Sequence, residues 1–338
     1  MKTIKYICRS CGSDQLNLII SFGRTPLADR LITKEQITQP ELTAPLDLAF
    51  CHHCTLVQIT ETVPPEILFD ENYPYFSSVS PALLEHSRKN ALELIRSRQL
   101  DANSLVIELA SNDGYLLKNF VAANIPVLGI DPAKGPAAAA QKAGVPTMCA
   151  FFDTQLAQQL KSEGKQADVV LANNVLAHVP DLNGFVAGIA KILKPTGVAV
   201  IEVPYLVDLI ENCEFDTIYH QHLCYFSVTA LDQLFRRHHL YLNHLKHLTI
   251  HGGSLRLYVE PGERPQNSVK SYLKAEAEMQ NSIQANTKKF PGRLPSLQAI
   301  FSLFYQGHFF DRGELTGMQP IYVDAARNRA SLIVSAIP

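Results

Sequence analysis

The chain has 338 residues, of which 46% are hydrophobic and 18% charged, with a formal net charge of −2. This composition supports a buried core and excludes a disordered chain, and the near-neutral charge argues against nucleic acid as a partner. The N-terminus lacks the apolar run of a signal peptide and the apolar stretches are only strand-length, so we expect a cytoplasmic protein that has no membrane partner.

Residues 1–65 predict a small module that is stabilised by zinc. The region is rich in Cys, Pro and Thr, contains short β-like segments at 16–22 and 46–50, and ends at two consecutive prolines, Pro64 and Pro65. It is too small and too polar to fold alone without a metal. Its cysteines form two CxxC pairs, which are Cys8, Cys11, Cys51 and Cys54.

The two CxxC pairs predict a closed structural site for Zn²⁺. Each CxxC turn presents two thiolates about one tetrahedral edge apart, and two such turns complete a shell of four thiolates. The loop of about 40 residues between the pairs is tolerable because loop-closure entropy grows slowly with length. His52 and His53 lie inside the second turn and are alternative ligands. A redox motif would need only one pair, and disulfides do not suit a cytosolic chain.

The region that follows predicts an α/β domain over residues 66–260. An aromatic-rich bridge and an amphipathic helix over 83–95 lead into buried strands that alternate with helices. The predicted strands are 105–109, 127–130, 169–172 and 198–203, and the predicted helices are 115–123, 136–143 and 182–193. This alternation predicts a Rossmann-like, doubly wound parallel sheet, and such sheets bind ligands at the carboxyl ends of their strands.

The segment from Glu108 to Gly114 directly follows a buried strand and precedes a predicted helix, which is the context of a nucleotide-binding turn. Only Gly114 is a glycine, so the GxGxxG fingerprint that a pyrophosphate requires is absent. S-adenosylmethionine carries no phosphate, and a site for it tolerates Ala110 and Asn112. The turn therefore favours S-adenosylmethionine over a nicotinamide dinucleotide, and the alternative is an ordinary turn with helix-capping residues.

Several side chains around this turn suit a cationic cofactor that contains a ribose. Glu108 and Asp113 are placed to face the sulfonium and amino groups. Asp131 ends the next strand, where a carboxylate accepts both ribose hydroxyls. Phe152 follows a short third strand and would stack on the adenine, unless it is an ordinary core residue.

A polar cluster follows the strand over 169–172. Asn173 and Asn174 would lie at the methionine end of a cofactor or against a substrate. His178 would contact the substrate or cap the following loop.

The segment 215–227 brings together three candidate catalytic residues, Tyr219, His220 and His222. Methylation at carbon needs a base that removes a proton next to a carbonyl, and histidine suits this task near neutral pH. A neighbouring tyrosine hydroxyl stabilises the developing enolate oxygen. On a helix Tyr219 and His222 would share a face. On a strand His220 and His222 would share one and could bind a metal. The remaining alternative is a set of ordinary hydrogen-bonded side chains.

In chain order these motifs resemble the sugar C-methyltransferases that carry a zinc-binding N-terminal domain. The resemblance covers about residues 5–285 and rests on the two CxxC pairs and on segments 73–78, 108–114, 173–175, 215–227 and 251–254. It implies a class I methyltransferase fold that uses S-adenosylmethionine. The implied reaction removes a proton next to the ketone of a dTDP-linked keto-deoxysugar and methylates the resulting enolate at carbon. We expect a monomer or a homodimer.

The resemblance also implies roles for individual residues. His222 is the general base, with Tyr219 and His220 beside it. The cofactor-binding residues are Glu108, Ala110, Asn112, Asp113, Gly114, Asp131, Phe152, Asn173 and Asn174. The substrate-binding residues are Tyr73, Tyr75, Ser77, Ser78, His178 and His251.

Two features depart from the family pattern. Gln221 stands where the family has a glutamate, and a neutral amide stabilises an imidazolium less well. Residues 261–338 predict a short, atypical C-terminal segment in place of a second Rossmann-like domain. The sequence of residues 290–338 resembles the product of a frameshift. The alternative to an active enzyme is therefore a catalytically impaired relic that still binds the cofactor.

Overall fold

The computed structural model describes residues 6–68 and 75–289, except the side chains of residues 280–289. The predicted substrate residue Tyr73 and the predicted atypical tail over 290–338 lie outside the described residues.

The N-terminal module is built on an antiparallel sheet. Its elements are β1 (Leu16–Pro26), β2 (Thr43–Cys51), β3 (Val57–Ile59) and the short helix α1 (Pro65–Leu68). The first two strands confirm the predicted β-like segments and extend them, whereas β3 was not predicted. Antiparallel pairing joins β1 to β2 and β2 to β3.

The helix α2 (Pro81–Ser97) confirms the predicted amphipathic helix. It begins where Ser80 accepts a hydrogen bond from the backbone N–H of Leu83 at 3.3 Å, and proline occupies its first turn, where a missing N–H costs nothing. Its buried face includes Leu83, Ala91 and Leu94.

The rest of the described chain alternates strands and helices. In order these are β4 (Val106–Leu109), α3 (Lys118–Val121), β5 (Val127–Asp131), α4 (Lys134–Lys142), β6 (Thr147–Cys149), α5 (Thr154–Ser162), β7 (Ala167–Asn173), α6 (Leu182–Ile192), β8 (Leu193–Pro204), α7 (Leu206–Glu211), β9 (Cys224–Tyr225), α8 (Val228–Arg237), β10 (Tyr241–Leu248), β11 (Ser254–Glu260) and α9 (Asn267–Lys289).

Seven of these strands form one sheet in the order β10-β11-β8-β7-β4-β5-β6. The strands from β8 to β6 pair in parallel, and β11 runs antiparallel to both of its neighbours. All four residues of β4 are buried, as expected for a central parallel strand. The sheet confirms the predicted doubly wound α/β fold. Its strand order reverses between β4 and β7, and ligands bind at such a switch point.

The predicted helix over 115–123 is largely absent, and only Lys118–Val121 is helical. The Asn119 side chain donates to the backbone carbonyls of Tyr115 and Leu116, at 3.5 and 2.9 Å. A side chain that binds nearby backbone carbonyls competes with helical hydrogen bonding, and the segment remains a series of turns.

The strand β9 belongs to the N-terminal sheet and not to the central one. Tyr225 pairs with Val57, and Cys224 pairs with Gln58. The segment that contains the candidate catalytic residues is therefore fixed to the zinc-binding module.

The last described helix is anchored by one buried carboxylate. Glu276 in α9 accepts hydrogen bonds from the backbone N–H groups of Val228 and Thr229, both at 2.8 Å, and from the Tyr205 hydroxyl at 2.9 Å. A carboxylate at the first turn of α8 complements the positive end of that helix. Among the described helices, none combines the length and the apolarity that crossing a bilayer requires.

Candidate active site

The turn after β4 has an unusual backbone. Ala110, Asn112 and Gly114 all have positive φ, at 51°, 48° and 76°. A Cβ on Gly114 would lie 2.9 Å from Cγ2 of Val145, so this position requires glycine for both conformation and space. Left-handed backbone at a non-glycine residue costs roughly 1–3 kcal/mol and concentrates at functional sites.

Asp131 holds this turn against the end of β5. Its carboxylate accepts from the backbone N–H groups of Asn112 and Ala133, both at 2.8 Å. Burial raises the pKa of Asp131, although these two hydrogen bonds oppose the shift. Each carboxylate oxygen keeps acceptor capacity for a ligand hydroxyl.

The segment Tyr75–Ser78 is tied to the same turn. The backbone N–H of Ser77 donates to Oδ1 of Asn112 at 2.9 Å, and that of Ser78 donates to Asp113 at 3.1 Å. The Asn112 amide also donates to the carbonyl of Tyr75 at 3.2 Å. The predicted cofactor turn and this part of the predicted substrate segment therefore form one wall.

A cavity of about 370 Å³ opens at the carboxyl ends of the parallel strands. The predicted residues that line it are Tyr75, Ser77, Ala110, Asn112, Asp131, Phe152, Asn173, Asn174 and His178. Phe152 packs edge-on against Phe185 with ring centroids 5.4 Å apart, and the neighbouring Phe151 is half exposed in the same lining.

Three predicted cofactor residues lie outside this lining: Glu108, Asp113 and Gly114. Glu108 is 1% exposed. Its pKa is raised well above the usual value by burial first, and then by the charges of Asp131, Asp113 and Glu202. This shift favours the neutral, protonated carboxyl of Glu108 in the free protein.

The polar atoms around the cavity fit a ligand that donates hydrogen bonds. Among the described residues, Oδ1 of Asn173, of Asn174 and of Asp113 are buried without a hydrogen-bond partner. Buried acceptors beside the acidic side chains of Asp113 and Asp131 favour a cationic donor over a phosphate. S-adenosylmethionine meets this demand through its sulfonium, ammonium and ribose hydroxyl groups.

Tyr219 and His222 form a hydrogen-bonded pair. The Tyr219 hydroxyl lies 2.9 Å from Nε2 of His222, and Nδ1 of His222 lies 2.8 Å from the carbonyl oxygen of Thr217. A carbonyl only accepts, so Nδ1 carries the proton and Nε2 presents a lone pair. Burial lowers the pKa of His222, while the Thr217 hydrogen bond and the Asp29 charge oppose the shift.

His178 connects this pair to the cavity. It lines the cavity, and its ring centroid lies 4.8 Å from that of His222. Burial lowers the pKa of His178 to about 3, with a further contribution from His222. The backbone of Leu223 fixes the contact, since its N–H donates to Ala177 at 2.7 Å and its carbonyl accepts from Ile59 at 3.0 Å.

Outside the cavity lining lie His220, Gln221 and His251. His220 is buried and donates from Nε2 to the carbonyls of Ala44 and Pro45, at 3.2 and 3.1 Å, so it attaches the segment to β2. The buried Gln221 has no hydrogen-bond partner for Nε2 within the described chain. His251, with φ of 53°, sits in the turn before β11.

The four cysteines of the CxxC pairs converge. The sulfur atoms of Cys8, Cys11, Cys51 and Cys54 all lie within 4.8 Å of one another, with Cys8–Cys54 at 3.4 Å and Cys11–Cys51 at 3.5 Å. A tetrahedral site with Zn–S bonds of about 2.3 Å needs sulfur separations of about 3.8 Å. The hydrogen bond from Cys54 lowers the pKa of Cys8 to about 5, which favours a thiolate. These residues fit a structural Zn²⁺ without His52 or His53.

The zinc-binding module also contacts α6. The Asn183 amide donates to the carbonyls of Arg9 and Ser10, at 2.8 and 3.0 Å, and its oxygen lies 2.9 Å from Nε2 of His238. The first CxxC turn is thereby joined to the helix whose residues Gly184 and Phe185 line the cavity.

Sequence reasoning missed a buried ionic network beside the site. The Glu202 carboxylate lies 2.6 Å from Nε of Arg256 and 2.9 Å from Nε2 of His86. Burial raises the pKa of Glu202, but the interactions with His86 and Arg256 lower it by a larger amount. The net shift of the pKa is therefore downward. The three residues come from β8, β11 and α2, and no local spacing in the sequence signals their meeting.

Comparison with protein families gives two matches along the chain. Residues 8–69 match a family described as "Putative zinc binding domain", and residues 84–245 match a family described as "Methyltransferase domain".

The chain is similar to several known proteins. It is 35% identical over 254 residues to C-methyltransferase NovU from Streptomyces niveus, and the match covers 75% of this chain and 60% of that relative. It is 28% identical over 100 residues to a ubiquinone biosynthesis O-methyltransferase from Bartonella tribocorum, which covers 29% of this chain and 40% of the relative. Among solved structures, magnesium protoporphyrin IX methyltransferase from Synechocystis aligns with a TM-score of 0.42 and 14% identity, over 52% of this chain and 82% of that one.

Proposed function

We propose that this chain, which matches a zinc-binding domain followed by a methyltransferase domain and is similar to a C-methyltransferase, methylates a carbon atom of a nucleotide-linked keto-deoxysugar. The methyl donor is S-adenosylmethionine, and the nucleotide is dTDP. The chain spans 60% of the length of that relative, and the support for the activity and the acceptor comes from the geometry of the site.

The observation that carries the proposal is the placement of the Tyr219–His222 pair beside the cavity. A methyltransferase that acts on an O–H or N–H group often needs only to orient the acceptor atom towards the methyl group. One that acts on a C–H group next to a ketone needs a base to remove the proton. His222 presents its Nε2 lone pair in a neutral tautomer, and His178 links its ring to the cavity lining. This arrangement supports a carbon acceptor.

The proposed reaction assigns one task to each residue. S-adenosylmethionine supplies an electrophilic methyl group when it is bound. Nε2 of His222 takes the proton from the carbon next to the ketone, and the C–H electron pair moves into the enolate. The Tyr219 hydroxyl, released from Nε2, donates to the enolate oxygen. The enolate carbon then forms the new C–C bond as the S–CH3 bond of the donor breaks, with S-adenosylhomocysteine as the leaving group. The ketone is restored, and the proton stays on His222 until solvent removes it.

Residues in and behind the cavity wall bind and orient the cofactor in this proposal. Asp131 accepts from the ribose hydroxyls, and Glu108 and Asp113 stabilise the positive charge of the donor. Phe152 covers the adenine. The small, acceptor-rich turn that contains Ala110 and Asn112 excludes a dinucleotide phosphate.

Methyl transfer from labelled S-adenosylmethionine to a dTDP-linked keto-deoxysugar tests the proposal. The full chain is incubated with both compounds, and the product is examined by NMR for a new carbon-bound methyl group. A methyl group found on oxygen would overturn the carbon acceptor. Exchange of the acidic C–H with deuterated water, measured without the methyl donor, isolates the proton-removal step.

Gln221 favours a second candidate, a cofactor-binding protein with impaired turnover. Its buried amide cannot stabilise an imidazolium as a carboxylate does. Under this candidate the wild type binds S-adenosylhomocysteine but turns over slowly, and Gln221→Glu raises kcat at least tenfold. Rapid turnover by the wild type, with no gain in the variant, excludes it.

A further inference from the structure

We propose that Asn183 is a positioning residue that couples zinc binding in the N-terminal module to cofactor binding in the cavity at the carboxyl ends of the parallel strands, the cofactor cavity. The inference goes beyond the proposed function, because it concerns zinc and the cofactor alone and holds whichever acceptor is methylated. Asn183 is the second residue of α6, and this helix begins at the edge of the cofactor cavity.

The nitrogen of the Asn183 amide contacts the zinc-binding turn itself. It donates to the carbonyls of Arg9 and Ser10, at 2.8 and 3.0 Å, and these are the two residues inside the first CxxC pair. Backbone carbonyls only accept hydrogen bonds, so this contact requires a donor at position 183. Folding of a small zinc-binding turn depends on its metal. The contact therefore depends on bound zinc.

The oxygen of the same amide is held by the end of α8. It lies 2.9 Å from Nε2 of His238, and because an amide oxygen only accepts, His238 donates. The adjacent Arg237 donates to the hydroxyl of Ser10, a residue that is buried. The zinc-binding turn, the start of α6 and the end of α8 therefore meet at the Asn183 side chain.

The residues on either side of Asn183 line the cofactor cavity. They are Asp181, Gly184 and Phe185. Asp181 accepts from the backbone N–H of Gly184 at 2.9 Å and caps the helix. Phe185 packs against Phe152, another lining residue, with ring centroids 5.4 Å apart. Because packed interiors transmit displacements, a shift of Asn183 moves this part of the cavity wall.

The expected consequence is a reciprocal linkage between the two ligands. Loss of zinc releases the two carbonyls that hold Asn183, and cofactor binding must then also order the cavity wall, which lowers the cofactor affinity. By thermodynamic necessity, a cofactor that binds the ordered wall raises the zinc affinity of the module by the same factor.

Competition with a zinc chelator, without and with saturating S-adenosylhomocysteine, tests the inference on the full chain. We expect S-adenosylhomocysteine to raise the zinc affinity of the wild type about 5- to 20-fold, but that of Asn183→Leu less than about twofold. Leucine resembles asparagine in size and donates no hydrogen bond. Calorimetry on zinc-loaded protein should show that Asn183→Leu weakens S-adenosylhomocysteine binding by a factor similar to the wild-type linkage.

Gln158→Leu is the matched control. It replaces a side-chain amide by leucine on the neighbouring α5, outside the cavity lining, where the amide oxygen accepts from Lys191 of α6 at 3.4 Å. This variant should keep the wild-type linkage and the wild-type affinity for S-adenosylhomocysteine. If Asn183→Leu does not fold, His238→Ala removes the partner that orients the amide and should reduce the linkage.

Two results would overturn the inference. One is a wild-type zinc affinity that does not respond to S-adenosylhomocysteine. The other is a response that remains equally large in Asn183→Leu, or in His238→Ala where that variant is used. Even with weaker cofactor binding, such a response would mean that Asn183 only supports the fold. Neither measurement uses an acceptor, so failure of this inference leaves the proposed methyl transfer standing.

Discussion

The Tyr219 hydroxyl lies 2.9 Å from Nε2 of His222, while the opposite ring nitrogen of His222 donates to the carbonyl of Thr217. The tautomer is therefore set by the backbone, and the lone pair that would act as a base is covered by a hydroxyl until an acceptor arrives. A base protected in this way is prepared for proton removal without being exposed to water.

Replacement of His222 should separate chemistry from cofactor binding. His222→Ala should lower kcat about 10²- to 10⁴-fold, the usual contribution of a general base. The Kd for S-adenosylhomocysteine should stay within about twofold, because His222 is not among the residues that line the cofactor cavity. Both quantities are measured beside His244→Ala, a control whose ring contacts Ser268 and Tyr258 instead. A loss of cofactor affinity as large as the loss of kcat would make His222 a structural residue.

The pH dependence of kcat/KM should report His222. The base acts only when unprotonated, so activity falls as the pH drops through its pKa. Burial lowers that pKa below 6.5, and the acidic limb should therefore have its midpoint below 6.5. Asp29 opposes the shift, so Asp29→Asn should move the midpoint to still lower pH.

Glu41→Gln is the control for this profile. Glu41 and Asp29 line one cavity in the loop between β1 and β2, but Glu41 is not among the groups that shift the pKa of His222. A midpoint that shifts equally in both variants would mean that the net charge of this loop, and not the carboxylate of Asp29 in particular, shifts the pKa of His222.

Binding of S-adenosylmethionine should release a proton from Glu108. Burial and neighbouring carboxylates raise the pKa of Glu108. In the free protein its carboxyl group therefore stays protonated at pH values well above the usual pKa of a glutamic acid. A bound cation lowers the pKa and expels the proton. Calorimetry in buffers of different ionisation enthalpy measures the release. S-adenosylhomocysteine, which lacks the sulfonium charge, should release less.

Glu108→Gln should abolish the proton release, whereas the exposed Glu163→Gln should not alter it. A release that persists in Glu108→Gln would assign the proton to another group.

Loss of a zinc ligand should disable the reaction through the catalytic segment. Apparent zinc-binding free energies in small domains are about 10–16 kcal/mol, so Cys51→Ser should unfold the module and release the β3–β9 pairing that holds Tyr225. We expect bound zinc and methyl transfer to be lost and Tm to fall. Cys149→Ser, at an exposed thiol outside the cluster, should retain all three. Full turnover by metal-free protein would contradict the prediction.

The sequence could predict the features that depend on residues close together in the chain. The CxxC spacing identified the four sulfur ligands, because each pair is fixed by its own turn. Continuous apolar runs identified β4, β5, β7 and β8, since strands buried on both faces need them. The turn at Gly114 and the acid at Asp131 followed from their places after those strands.

Features that depend on distant partners were not predictable. The two residues of β9 become a strand only because Val57 pairs with Tyr225. The role of His220 depends on two carbonyls of β2, and the influence of Asp29 on His222 crosses most of the chain. The segment 115–123, where a helix was expected, is mostly turns, and the Asn119 side chain donates to the carbonyls of Tyr115 and Leu116 there.

The pairing of β3 with β9 has a consequence for biosynthesis. On the ribosome the edge of β3 stays open until Tyr225 emerges, about 165 residues later, or roughly 8–30 s at ordinary translation rates. An open strand edge is a template for unwanted pairing. Early capture of Zn²⁺ by the nascent chain would hold the unfinished sheet in register during that interval, which makes metal supply a determinant of how much chain folds productively.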